Sequence, residues 1–124
     1  MNFMDFMNLL SEGVYGNLFP LGNVALITDI WVPEPLRRKG LVTSFLKELG
    51  EDYSTVVVAN VIGKDLQSLL RKMGYRYYGV KSFDPGNSPA SFYVKSSEDF
   101  DLKEFLESLP DREVMPIWVN KGEE

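Results

Sequence analysis

The chain has 124 residues, 44% of them hydrophobic and 25% charged, with neither histidine nor cysteine. That length predicts one domain, since roughly 100 to 200 residues is usual for each, and the composition lies far from that of disordered chains. The two missing residue types exclude disulfides, thiolate or imidazole metal sites, cysteine nucleophiles and imidazole catalysis, so no metal centre is expected. Chemistry falls to carboxylates, hydroxyls, amines and backbone amides. A net charge of −5 argues against a nucleic-acid partner, whose binding is driven by phosphate neutralisation, and favours a cationic one. No run approaches the roughly 18 apolar residues of a membrane span, and residues 1–10 carry Asp5 but no lysine or arginine, unlike a signal peptide. A cytoplasmic protein with no membrane partner is expected.

In chain order, Phe3, Phe6, Met7 and Leu10 recur at helical spacing and predict a helix stopping by Gly13. Residues 14–18 predict a short strand, and Phe19-Pro20-Leu21-Gly22-Asn23 a turn that closes a hairpin. Residues 24–32 are apolar nearly throughout, as in a strand buried on both faces; Asp29 interrupts them. Pro33 and Pro35 end the ladder, because neither donates a backbone hydrogen bond. Val42, Phe45, Leu46 and Leu49 predict a helix ending at Gly50. Thr55-Val56-Val57-Val58-Ala59 predicts a central strand. Leu66, Leu69, Leu70 and Met73 make another helical face, with Gly74 placed for a left-handed cap. Residues 75–80 and 90–95 predict two strands around the turn-rich Phe83 to Pro89. Leu102, Phe105, Leu106 and Leu109 predict a helix capped by Ser97 or Asp99 and stopped at Pro110. Residues 114–119, broken by Pro116, predict an edge strand, which leaves strand-mediated homodimerisation open. Strands alternating with helices imply parallel crossovers, and the later strand pair implies a hairpin. The expected fold is a mixed α/β sheet with helices on its faces.

The stretch Val32-Pro33-Glu34-Pro35-Leu36-Arg37-Arg38-Lys39-Gly40-Leu41-Val42-Thr43 joins a buried strand to a helix. Turn amides and the positive end of a helix dipole meet there, Gly40 lets a ligand approach the backbone, and Arg37, Arg38 and Lys39 add positive charge. A phosphate or pyrophosphate suits such a place; a solvated basic loop is the alternative. The Gly-Lys-Ser/Thr ending of a Walker loop is absent, and a Rossmann loop needs two more glycines.

The run Ile30-Trp31-Val32, two prolines, Arg37-x-x-Gly40-x-Val42, a helix, a valine-rich strand and then Leu66-x-x-Leu69-Leu70-x-Lys72-Met73-Gly74-Tyr75 resembles the coenzyme-binding core of the GNAT N-acetyltransferase superfamily. The match spans about residues 24 to 95 and follows a short N-terminal stretch with one helical face, where such enzymes usually carry two helices. The resemblance implies a GNAT-like central mixed sheet and acetyl-coenzyme A (acetyl-CoA) as cofactor. It implies that the amides of Arg38, Lys39, Gly40, Leu41, Val42 and Thr43, with Arg37, hold the pyrophosphate. The backbone of Ile30, Trp31 and Val32 would pair with the pantetheine arm, where that strand bulges and splays from the one at residues 55–59. Val42 stands where the family has Gly or Ala, Leu70 where it often has a tyrosine acid, and Gly63-Lys64 where Asn is frequent, with Asn60 just upstream.

Transfer to an amine requires a base, an oxyanion donor and a proton for the departing thiolate. Asp29 is the leading base candidate, within an apolar strand, with Glu34 second and a hydrogen-bonded strand carboxylate at the sheet's exposed face as the alternative reading. Tyr75, Tyr77 and Tyr78 are candidates for the acid, supported by Asn60 or Ser91, and the same tyrosines also read as packing residues. The oxyanion falls to an amide near Val32, as the resemblance implies. Seven acids between Glu98 and Glu113 read as a solvated helix face or as the approach for a cationic acceptor. The expected activity is acetylation of a primary amine, on a cationic small molecule or on a protein lysine or N-terminus. A GNAT-like domain that binds a protein without catalysis is the alternative.

Overall fold

Val14, buried at the end of a turn made by Gly13, leads the chain into a six-stranded sheet. In this computed structural model, the structure describes residues 13–36, 40–61, 63–82, 90–108 and 116–121. The predicted helix at Phe3, Phe6, Met7 and Leu10, the turn at residues 83–89, and Leu109 to Met115 lie outside those residues.

The strands are β1 (Tyr15–Leu21), β2 (Val24–Trp31), β3 (Thr55–Ala59), β4 (Arg76–Ser82), β5 (Ala90–Ser96) and β6 (Pro116–Lys121), in the spatial order β1-β2-β3-β5-β4-β6. Only β2 and β3 are parallel neighbours; every other adjacent pair is antiparallel. The helices among the described residues are α1 (Leu41–Asp52), α2 (Lys64–Lys72) and α3 (Leu102–Ser108). The mixed α/β architecture is therefore the one the alternating elements predict. Of the two expected crossovers, only the one through α1 joins adjacent strands, because β5 folds back as a hairpin between β3 and β4.

Strand parity divides the core in two. Ala25, Ile27, Val56, Val58 and Tyr93 face α1 and α2, burying Val42, Phe45, Leu46, Leu49 and Leu70. Val24, Leu26, Val57, Phe92 and Val94 face α3, burying Leu102 and Leu106. With helices on both faces, β3 is buried at all five positions, which is why Val56 to Ala59 form an unbroken apolar run after Thr55. Leu49 and Leu70 are fully buried, and truncating such a leucine to alanine costs about 2–5 kcal/mol.

Four boundaries differ from the sequence expectation. β1 runs on through Phe19 and Pro20 to Leu21, since a proline is tolerated on an edge strand, and the turn shrinks to Gly22-Asn23 with the positive φ of 64° on the glycine. α1 continues past Gly50 to Asp52, and the Tyr53 amide donates to the Leu49 carbonyl to close it. α3 is capped by Asp101, not Ser97 or Asp99: its carboxylate accepts the Glu104 amide at 3.1 Å. β6 (Pro116–Lys121) runs past the expected end at residue 119 and holds the sheet edge beside β4. The glycine cap of α2 is as expected. Gly74 takes φ 91°, its amide donates to Arg71 and that of Tyr75 to Leu70, the paired bonds of a Schellman ending.

Candidate functional site

The parallel pairing of β2 and β3 runs from Val24↔Thr55 to Thr28↔Ala59, and among the described residues it goes no further. The next residue on each strand turns left-handed. Asp29 has φ 56° and Asn60 φ 57°, the two non-glycine residues with positive φ among those described. Such a conformation costs an ordinary L-residue about 1–2 kcal/mol, and aspartate and asparagine visit it most readily. Beyond this point β2 stays with β1, pairing Trp31 with Tyr15, while the Asn60 amide donates to Ser91 of β5 at 3.0 Å. The two strands thus open into a wedge at their carboxyl ends. In α/β sheets, ligands bind outside the carboxyl ends of parallel strands where the topology divides.

The wedge has a local cause. Between Thr28 and Trp31 β2 takes three steps while β1 takes two, from Asn17 to Tyr15, so β2 carries a bulge at Asp29 and Ile30. Gly16 faces it, where an added Cβ would lie 3.4 Å from the Ile30 Cα. Asp29 is exposed and hydrogen-bonded, the geometry of the alternative reading of a carboxylate at the sheet's exposed face: the bulge turns it out of the ladder. Its Oδ1 accepts a long hydrogen bond of 3.4 Å from the Asn60 side-chain amide, so these two predicted site residues stand together across the wedge. Ile30 is buried and Val32 half-buried against the α1 and α2 side, whereas Trp31 between them is 41% exposed.

After Val32 and Pro33, Glu34–Leu36 form one 3₁₀ turn; Arg37, Arg38 and Lys39 lie outside the described residues. Gly40 then opens α1 with φ 76°, open space where a side chain would start, and no side-chain cap. Its carbonyl accepts the Ser44 amide at 3.0 Å. Among the described residues no side chain caps the first-turn amides of Leu41, Val42 and Thr43, the condition for receiving an anion at the positive end of the helix. Val42 buries its side chain in the core, so a valine there leaves the approach to the amides clear.

The tyrosines lie elsewhere. The row containing Asn60 continues through Ser91 to Gly79, and the Tyr77 hydroxyl lies 3.6 Å from the position of a Gly79 Cβ, so Tyr77 reaches that row from β4, with β5 between it and β3. Its ring packs edge-on against Tyr93 at 5.4 Å. Tyr75 precedes β4, away from the wedge, and is only 6% exposed; burial pushes its phenol pKa well above the usual value. The structure thus places Tyr75 in the core, as the packing reading of these tyrosines has it. Missed from sequence was Tyr15, whose ring lies 5.9 Å from that of Trp31; only the bulge sets that pairing, and no motif signals it.

No family model and no curated protein matches the chain. Similarity is found among solved structures. Among them is the crystal structure of a "putative acetyltransferase" from Agrobacterium tumefaciens, with a TM-score of 0.46 and 12% identity over 75% of this chain and 85% of that one. At that level the likeness assigns no residue a role. Among the described residues no helix is long and apolar enough to cross a membrane, and no three carboxylates gather as a metal site.

Proposed function

We propose that this chain is an acetyl-CoA-dependent N-acetyltransferase acting on a primary amine of a cationic acceptor, with the GNAT-like core that its motifs resemble. The observation that carries the reading is the wedge between β2 and β3, opening beside an uncapped helix start at Gly40. A long carrier with a diphosphate at one end and a thioester at the other needs two such features: an unpaired strand edge for its amide-bearing arm and a cluster of backbone amides for its phosphates. The residues present fit it. Ile30 and Trp31 lie past the last β2 to β3 pair, with Val32 next in sequence, and Gly40, Leu41, Val42 and Thr43 supply the amides, with Arg37, Arg38 and Lys39 adjacent in sequence.

When bound, the coenzyme would supply the acetyl group as a thioester; an ammonium acceptor gives up two protons on becoming the amide, one balanced by the proton that the thiolate takes up and one left for a base. Asp29 receives the second. An alkyl amine with a pKa near 10 is mostly charged at neutral pH, so an exposed carboxylate at the wedge both attracts the ammonium and accepts its proton, directly or through water. Asn60 orients Asp29 through the 3.4 Å contact. Of the tyrosines Tyr75, Tyr77 and Tyr78, Tyr77 has its hydroxyl beside Gly79 in the row of Asn60, and it is the candidate proton source for the thiolate.

The test is direct. The chain has no cysteine, so mixing it with acetyl-CoA and a panel of amines and following thiol release gives a signal free of protein background. Amine-dependent release, lost in Asp29→Asn, is expected. Coenzyme binding with no release across the panel overturns the enzymatic reading in favour of a binding domain.

A further inference from the structure

β1 is the outer strand of the sheet, and among the described residues nothing pairs with its free edge. The turn at Gly22-Asn23 fixes which backbone groups line that edge. Its φ is positive at the glycine alone, the pattern of a type II′ hairpin, in which the flanking residues Leu21 and Val24 bond to each other. Alternation then turns the backbone groups of Phe19 and Asn17 to β2 as well, and leaves those of Gly16 and Leu18 facing outward. Pro20 faces outward too, where its missing N–H breaks no bond to β2. Edge strands are commonly blunted by charge, yet Tyr15–Leu21 carries none, in a chain that is 25% charged. Tyr15, Asn17 and Phe19 are exposed and share the α3 side of the sheet, since Leu18 between them packs against the α1 and α2 core.

We propose that the free edge of β1 pairs antiparallel with β1 of a second copy of this chain, about a twofold axis at Asn17. The backbone selects this alignment. Outward-facing residues pair with each other, and any alignment that sets Pro20 against Gly16 or Leu18 leaves a carbonyl without a donor. Setting Gly16 against Leu18 of the other copy avoids this: both residues bond fully in both copies, and Pro20 falls beyond them and ends the ladder. The side chains select the same alignment. Tyr15 then stands opposite Phe19 of the other copy and Asn17 opposite its own counterpart, in the closer, non-hydrogen-bonded kind of pair. Across the joined sheets, rows of Trp31, Tyr15, Phe19 and Leu26 flank a central row of Thr28, Asn17, Asn17 and Thr28. The large hydrophobic side chains exposed among the described residues, Tyr15 at 67%, Phe19 at 45% and Trp31 at 41%, all fall in the flanking rows. In the central row, Asn17 donates one N–H to Thr28 at 3.2 Å and keeps its oxygen and second N–H for its counterpart. Apolar, polar, apolar reads the same from either copy, and that self-complementarity fits the edge to a second copy and not to an unrelated strand. The pairing stands independently of the transferase reading.

Sedimentation equilibrium on the full chain without coenzyme tests association, and needs no variant to fold. A mass that rises with concentration from 14.1 kDa towards twice that value is expected. Phe19→Lys, at an exposed position, should weaken association about tenfold by setting an ammonium against Tyr15 of the other copy, with thermal unfolding of the dilute chain unchanged. Disulfide trapping reads the alignment, because the native chain has no cysteine and each variant carries a single one. Opposed residues of a non-hydrogen-bonded pair lie about 4.5 Å apart at Cα, within reach of a disulfide, whereas the two copies of residue 19 would lie roughly 13 Å apart. Asn17→Cys should therefore oxidise to a covalent dimer about tenfold faster than Phe19→Cys, and a mixture of Tyr15→Cys with Phe19→Cys should link one to the other. A chain that stays monomeric at the concentrations used for nuclear magnetic resonance would overturn the proposal. So would association that Phe19→Lys leaves intact, or equal trapping at residues 17 and 19, either of which assigns the contact to another surface such as the β6 edge.

Discussion

The two ends of the β2 and β3 pair differ sharply, although the same two strands make both. At the amino ends the strands are stitched shut. Thr55 donates its amide to the Asn23 carbonyl, the Asn23 and Ser54 side chains both donate to one oxygen of Glu98 at 2.9 and 3.0 Å, Ser97 donates its amide to Ser54, and the Thr55 and Ser96 hydroxyls meet at 2.6 Å. At the carboxyl ends, one 3.4 Å contact between Asn60 and Asp29 spans two strands that have turned left-handed and parted. Stability is concentrated at the first end, and strain at the second. Residues held in sparsely populated backbone regions cluster where ligands act, and the difference shows which end of an otherwise regular sheet is available for chemistry.

Perturbing each end in turn tests that division. Gly40→Val should have the largest effect. It places a β-branched residue at φ 76° beside the open end and should abolish coenzyme stabilisation, which at 100 times the dissociation constant is worth about 2.7 kcal/mol; a thermal shift titration reads it. Glu98→Ala at the closed end removes the acceptor shared by Asn23 and Ser54 and should lower unfolding free energy by about 1 kcal/mol. Denaturant midpoints check that value, and the coenzyme shift should stay unchanged; its loss would break the comparison. Asp29→Gly relieves a left-handed residue, so stability should hold or rise by up to about 1 kcal/mol while thiol release is lost. Smallest at neutral pH is Tyr75→Phe. The Tyr75 pKa is raised in the folded chain by burial, so its contribution is complete below the unfolded value near 10 and declines as pH rises beyond it, where the unfolded chain ionises first. The variant should therefore flatten the loss of stability above about pH 10, read as denaturant midpoints across that range.

Much of the fold was legible because its signals are local. The valine run of β3 and the helical spacing of Val42, Phe45, Leu46 and Leu49 place those elements directly, and Gly74 marks the end of α2 because a Schellman ending demands a left-handed residue. Pro20 and Gly50 misled because their cost depends on context that a single sequence does not show: an edge position for the proline, a stabilised last helical turn for the glycine. The candidate site was legible in part. Gly40 stood out as a glycine before a helix, and Asp29 as the interruption of an apolar run, which the structure explains as a bulge. That Asp29 and Asn60 are partners is a matter of parallel register between residues 31 positions apart, and the placing of Tyr15 beside Trp31 depends on the same bulge. Tyr75 and Tyr77 looked equivalent in sequence; only the Schellman turn and strand parity separate a core phenol from one reaching the row of Asn60.

The division between the two ends is tested most directly by amide chemical shifts on adding coenzyme A to the full chain. Shifts confined to Trp31, Val32 and the residues from Gly40 to Thr43, with Val24 to Ile27 and Ser54 unmoved, are the predicted result. Shifts centred on Asn23, Ser54 and Glu98, or none at saturating coenzyme, would contradict it.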